Sequence, residues 1–264
     1  MKRIKLIFII GVCVFMVFTA ACGQTVKKVG SDKQVELLIS AAASLKDSLS
    51  AAGNAFEEKH PNIKLVFSFG SSGALQQQIE NGAAVDVFIS AATKQMDSLN
   101  EKGLIVADTR REFLKNELVL IVPKEEKSVS GFEDLTSEKI QHISLGEPKG
   151  VPAGQYAQEM LTKLGIIDQI KNKFVYGNDV KEVLTWVETG DADAGIVYAT
   201  DASSSQKVRV VAKAPEDSHK PIYYPAAVIK ETKNPDEARA FTEFLYGGEA
   251  KPIFEKYGFV FMEK

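Results

Sequence analysis

Three times between Val35 and Gly103 an apolar stretch gives way to residues at helical spacing. No other feature of the chain narrows its fold as much. Val35–Ser40 reads as a buried strand, and Leu45, Leu49, Ala52 and Phe56 mark one face of a helix over Leu45–Lys59, stopped by His60-Pro61. Ile63–Phe69 alternates, with Ile63, Leu65 and Phe67 on one face, and leads through Gly70-Ser71-Ser72-Gly73 into a helix over Ala74–Asn81. Val85–Ser90 and Thr93–Lys102 form a third strand and helix, closed by Gly103. Strand–helix units in series predict an α/β fold with a mainly parallel sheet and helices on its faces.

A second set of units follows. Glu117–Val122 is an apolar strand ended by Pro123, Ile140–Leu145 another, and a loop running to Gly154 enters a helix over Gln155–Leu164. Phe174–Tyr176, a helix over Asn178–Glu188, the strand Ala194–Tyr198 and Val208–Ala212 continue the pattern. Ile222–Ile229 reads as a long strand interrupted by Pro225, and Asn234-Pro235-Asp236 starts a helix with proline in its first turn. Two extended crossings, Glu117–Val122 outward and Tyr223–Ile229 back, predict two lobes: residues 35–118 with 226–264, and residues 119–225. A cleft between such lobes is a natural place to enclose a small ligand.

The N-terminus is a separate element. Lys2, Arg3 and Lys5 precede an uncharged run of sixteen residues, Leu6 to Ala21, short of the ~20 that span a bilayer as a helix. A basic start, an apolar middle and small residues before a cleavage point make a secretory signal over residues 1–21. Thr19-Ala20-Ala21-Cys22 resembles a bacterial lipobox, with threonine where leucine is usual. Cys22 is therefore expected to be the lipidated N-terminus of the mature protein, with residues 22–34 as a tether holding it to the outer face of the cell membrane. The two cysteines are Cys13 and Cys22, so no disulfide or thiolate metal site is expected in the folded part.

Charge narrows the partners. The full chain carries 32 basic and 35 acidic residues; losing Lys2, Arg3 and Lys5 leaves 29 against 35, a formal charge of −6. That balance argues against nucleic acid. An anion ligand would then need a site built from hydrogen bonds rather than net charge.

Several loops join the carboxyl end of a strand to a helix start, where ligands of open α/β sheets sit. They are Ala43-Ser44, Ser71-Ser72-Gly73, Val151-Pro152-Ala153-Gly154 and Asn178-Asp179-Val180, and Tyr198 ends a buried strand. Each has a plain structural reading: an N-cap serine at Ser44, a cap and turn at Ser72, a loop at Ala153, a capping box of Asp179 with Glu182 before Val180, and a half-buried tyrosine. Helix starts carry unpaired N–H groups and the positive end of the helix dipole, so together they suit an anion.

Ala41-Ala42-Ala43-Ser44-Leu45, Phe69-Gly70-Ser71-Ser72-Gly73-Ala74-Leu75, Asp86-Val87-Phe88-Ile89-Ser90-Ala91, Val151-Pro152-Ala153-Gly154-Gln155-Tyr156-Ala157, Gly195-Ile196-Val197-Tyr198-Ala199-Thr200-Asp201, Pro215-Glu216-Asp217-Ser218-His219 and Tyr257-Gly258-Phe259 occur in one order. Over Val35 to about Phe261 this resembles the molybdate-binding proteins of bacterial ABC importers. The resemblance implies a two-lobed periplasmic-binding-protein fold of type II, closing over molybdate or tungstate, with no other cofactor. It also implies ligand contacts at Ser44, Ser72, Ala153, Val180 and Tyr198, a monomer, and a permease and ATPase as partners. Gly70 and Gly73 depart from the alanine or serine common in the family, which is expected to leave that backbone freer.

The chemistry agrees with that implication. Molybdate is a tetrahedral dianion that needs donors only, and serine, tyrosine and backbone N–H groups are donors. Sulfate, of the same shape and charge, is the closest alternative. A serine hydrolase using Ser44 or Ser72 is a rival of another class, but neither serine lies in G-x-S-x-G and His60, His142 and His219 sit in surface-like contexts, so no enzyme is expected. A bare metal cation would need a cluster of histidines and carboxylates that these loops lack.

Overall fold

The structure is a computed structural model in which residues 34–263 are described. The signal, lipobox and tether readings, with Cys13 and Cys22, lie outside the described residues apart from Gln34. The strands are β1 (Val35–Ala42), β2 (Ile63–Gly70), β3 (Val87–Ile89), β4 (Arg111–Asn116), β5 (Leu118–Pro123), β6 (Ile143–Gly146), β7 (Phe174–Gly177), β8 (Ala194–Tyr198), β9 (Val208–Lys213), β10 (Ile222–Val228) and β11 (Val260–Phe261). The helices are α1 (Lys46–Lys59), α2 (Ser72–Glu80), α3 (Thr93–Glu101), α4 (Pro152–Lys163), α5 (Ile167–Ile170), α6 (Val180–Thr189), α7 (Ala199–Ser203), α8 (Pro235–Tyr246) and α9 (Lys251–Lys256).

The strands form a six-stranded sheet in the order β11-β4-β10-β3-β1-β2 and a five-stranded sheet in the order β7-β6-β8-β5-β9. The expected parallel pairing holds for β2–β1–β3 and for β7–β6–β8. Antiparallel strands complete both sheets: β10, β4 and β11 in the first, β5 and β9 in the second. Both are therefore mixed. Strand β1 lies between β2 and β3, and its side chains from Ile39 to Ala42 are buried on both faces, which is why its sequence is a continuous apolar run rather than an alternation.

Strand β4 has no expectation behind it. Its sequence, Arg-Glu-Phe-Leu-Lys-Asn, carries charge at three of six positions, and Phe113 and Leu114 alone are buried. It is a strand because β10 and β11 pair with it on either side. Tertiary pairing, not local propensity, decides such a segment. Strand β10, expected as a crossing, is a full member of the six-stranded sheet, and β5 belongs wholly to the five-stranded one. The sheets are joined through Glu117, between β4 and β5, and through residues 214–221, between β9 and β10. Pro225 sits where the register of β10 against β4 shifts, a place where its missing N–H is tolerated.

A single apolar cluster runs through both sheets, from Leu37, Ile39 and Phe56 to Leu120, Ile196 and Val197. A smaller one holds α2 and α3 down through Leu75, Ile79, Met96 and Leu99.

Candidate functional site

Ser44 does not cap its helix. Ala43–Leu45 forms a 3₁₀ turn between β1 and α1, neither start has a side-chain cap, and the Ser44 hydroxyl lies 3.0 Å from Tyr224 Oη. Ser71 stands at the N-cap position of α2 but makes no capping bond, while Ser72, the first residue of α2, accepts the Ala91 N–H at 3.0 Å. Helix α4 begins three residues earlier than its periodicity suggests, with Pro152 first, so Ala153 lies inside the first turn rather than in a loop. Asp179 caps α6 as expected: its Oδ1 accepts from Lys181 N at 2.8 Å and Glu182 N at 3.0 Å. The reciprocal bond differs, since Glu182 Oε2 accepts from the N–H of Asn178 rather than that of the cap residue. Tyr198 ends β8 and is 1% exposed.

One small cavity gathers all five residues: Ser44, Ser72, Ala153, Val180 and Tyr198 line it together with Ala42, Ala43, Gly70, Ser71, Ala91, Val151, Pro152 and Asp179. Pockets for drug-sized ligands run to roughly 300–1,000 Å³, against about 10 Å³ here, so this space suits only a small solute. Its walls come from the carboxyl ends of β1, β2 and β8 and from the starts of α2, α4 and α6, thus from elements of both sheets. Ser72, Ala153 and Val180 are first-turn residues, whose N–H groups have no acceptor within their own helices.

The side chains add donors of fixed direction. Because Ser72 Oγ already accepts the Ala91 N–H, its own proton is left for the cavity. The Tyr198 hydroxyl is buried and has no partner at good hydrogen-bond geometry, although the Tyr224 hydroxyl is close by. Burial pushes its phenol well above the ordinary range and the Tyr224 hydroxyl raises it further, so it stays protonated. An unpartnered buried hydroxyl costs about 1–3 kcal/mol, so a group left so in a cavity wall is poised for a ligand.

The cationic side chain beside the cage is already engaged. Lys181, next to Val180, lies 3.2 Å from Oδ1 of the fully buried Asp201 and 3.3 Å from Asp47 Oδ2 on α1. Burial raises the Asp201 carboxyl to about 6 against the pull of Lys181. Lys181 therefore ties α6 to α1 and brings little uncompensated charge. Neither serine hydroxyl has a histidine or carboxylate as hydrogen-bond partner, so no nucleophile–base pair is formed. Among the described residues no group of three histidines, cysteines or carboxylates could hold a metal ion.

Gly73 corrects an expectation. Its N–H donates to Gly150 O at 2.9 Å, and an added Cβ would lie 2.5 Å from that oxygen. The backbone there is pressed against the loop before α4, not freer. Spacing within the sequence could not find this, nor could it find Tyr224 as a partner of Ser44 180 positions away.

Two mixed sheets that meet over a small cavity of hydrogen-bond donors define a receptor for a small solute. The chain belongs to the bacterial extracellular solute-binding proteins, whose family profile matches residues 37–260. It is similar to YvgL of Bacillus subtilis, a protein assigned as an ABC transporter substrate-binding lipoprotein, with 46% identity over 96% of each chain. It is 41% identical to the molybdate-binding protein ModA of Haemophilus influenzae, over 85% of this chain and 89% of that one. Its fold matches the periplasmic molybdate-binding protein of Azotobacter vinelandii with a TM-score of 0.78 at 26% identity, over 86% of this chain and all of the other.

Proposed function

We propose that this protein captures molybdate, and tungstate of the same shape and charge, outside the cytoplasm and delivers it to the permease and ATPase of an ABC importer. The observation that carries this reading is the Tyr198 hydroxyl, buried and without a well-aligned partner in a wall that also holds the Ser44 and Ser72 hydroxyls and the helix starts at Ala153 and Val180. Ser44, Ser72 and Tyr198 would donate through their hydroxyls, and Ala153 and Val180 through backbone N–H groups. The helix starts supply diffuse positive potential without a desolvated cation. The protein acts as a carrier and not as an enzyme.

Residues 35–118 with 226–264, and 119–225, would act as the two lobes, swinging about Glu117 and residues 214–221. Cys22 would carry the lipid that keeps this monomer at the cell membrane, beside its permease. Replacing it, in Cys22→Ser, is expected to release the protein into the medium; fractionation of cells checks this, and wild-type retention would point to another anchor.

Calorimetric titration of the purified soluble part with molybdate, tungstate and sulfate tests the ligand. Molybdate and tungstate are expected to bind and to raise the melting temperature by mass action, about 4 kcal/mol of added stability at a thousandfold excess over Kd. Sulfate, with shorter bonds, should bind more weakly because fixed donors lose strength with distance. A clear response to sulfate with none to molybdate would overturn the assignment. Ser72→Ala removes one donor and is expected to weaken molybdate binding about tenfold or more while leaving the chain folded, since a hydrogen bond to a charged group contributes about 1.5–3 kcal/mol. Titration of that variant decides whether Ser72 contacts the ligand.

A further inference from the structure

We infer that Tyr224, held by Asn116, fixes the direction of the Ser44 hydroxyl and thereby makes the cavity reject oxyanions that carry a proton. This rests on the reading of the cavity as an oxyanion site and extends it to a residue outside the cavity wall. Tyr224 lies on β10, is fully buried and is not among the lining residues.

The direction follows from one end of a chain of hydrogen bonds. The N–H of Glu117 donates to Asn116 Oδ1 at 2.9 Å, and a backbone N–H can only donate, so that oxygen is placed. The other side of the amide is then the NH₂ group. It donates to Thr200 Oγ1 at 2.9 Å and to Tyr224 Oη at 3.2 Å. Tyr224 Oη thus receives a proton from Asn116, and its own proton has Ser44 Oγ, 3.0 Å away, as acceptor. The reverse arrangement would leave the Tyr224 proton with only the neighbouring Tyr198 hydroxyl, which stands outside good hydrogen-bond geometry, and that is costly. Ser44 therefore accepts from Tyr224 and turns its own proton into the cavity.

Two other polar side chains of the wall, Ser72 and Tyr198, have the same polarity. Ser72 is held as a donor by the backbone N–H of Ala91. Tyr198 offers a proton with no partner of its own. Asp179 is the one carboxylate among the lining residues, and its Oδ1 takes the two amide protons of its helix start. A fully deprotonated dianion meets protons at Ser44, Ser72 and Tyr198 and at the helix-start N–H groups of Ala153 and Val180. Hydrogen phosphate has the same charge but brings a proton that also needs an acceptor, and here it would face other protons. Discrimination between the two then depends on the direction of Ser44, which Asn116 and Tyr224 set from behind.

Two variants test this with molybdate and inorganic phosphate at about pH 8, above the second phosphate ionisation. In Asn116→Asp one carboxylate oxygen still accepts from Glu117 N–H, while the other can only accept, so the Tyr224 proton turns to it. Ser44 then donates to Tyr224 and presents a lone pair to the cavity. The added charge disfavours both dianions alike, so the ratio of phosphate to molybdate affinity isolates the reversal. That ratio is expected to rise about tenfold or more in Asn116→Asp, the equivalent of one buried proton finding an acceptor. In Tyr224→Phe the ring keeps its edge contacts with Tyr198 and Phe259, the Ser44 hydroxyl is free to turn, and a smaller rise in the same direction is expected. An unchanged ratio in folded Asn116→Asp and Tyr224→Phe would overturn the role of Tyr224, and Tyr224→Phe decides alone where Asn116→Asp does not fold. Wild-type protein that fails to bind molybdate would overturn the oxyanion reading instead, so the two failures are distinct.

Discussion

Gly154→Ala is expected to cost this protein both stability and ligand. An added Cβ would lie 1.9 Å from Gly146 O and 2.6 Å from its carbonyl carbon. Both neighbours are backbone at the end of β6, so no side-chain rotation relieves the overlap. Gly146 is itself confined, since a Cβ there would meet Val151 Cγ1 at 2.4 Å. The first turn of α4 is therefore seated backbone on backbone, and one methyl group must lift it by an ångström or more. Overpacking of this kind typically costs 1–3 kcal/mol and occasionally more, and we expect about 3 kcal/mol or above because backbone must move. For a chain of this size that corresponds to a fall in melting temperature of roughly 6–12 °C. The N–H of Ala153 moves with the turn, so molybdate affinity should fall with stability. Thermal unfolding without and with molybdate measures both, and a melting temperature within about 1 °C of wild type would refute the seating argument.

Tyr198→Phe is expected to move the same two quantities in opposite directions. Removing the unpartnered hydroxyl relieves the folded protein of a desolvated polar group, a gain of about 1–3 kcal/mol without ligand. The ring stays in place against Tyr224, its edge-on neighbour at 5.9 Å. With ligand, the loss of a charge-assisted donor should weaken binding by about 1.5–3 kcal/mol, roughly ten- to a hundredfold. A variant that is more stable when empty and binds less tightly fits a hydroxyl kept for the ligand. Lower stability of the empty variant would mean that the hydroxyl has a structural partner.

The strand–helix series, the helix start at Val180 and the end of β8 at Tyr198 were legible in the chain because each has a local cause, whereas α2 starts at Ser72, two residues before the expected Ala74. A buried parallel strand must be apolar on both faces, and a carboxylate at Asp179 placed two residues before Lys181 caps that turn whatever surrounds it. Helix α4 starts before its periodic residues because proline at the first helical position looks, in sequence, like the end of a loop. Strand β4 was missed because its charged residues obey pairing with β10 and β11 rather than their own propensity.

Spacing and side-chain type along the chain marked the loops at Ser44, Ser72, Ala153 and Val180 and the strand end at Tyr198 as candidates, and the resemblance to the molybdate-binding proteins implied them as ligand contacts. What those residues face was settled only when the sheets came together. Ser44 could have capped its helix, and its spacing allowed it; Tyr224, on a strand 180 residues away, is its hydrogen-bond partner instead. Gly73 looked permissive until Gly150 closed against it at hydrogen-bond distance. Direction of a proton and closeness of two backbones are relations between distant segments, and no local energy term specifies them. Packing of the two sheets over one small cavity does.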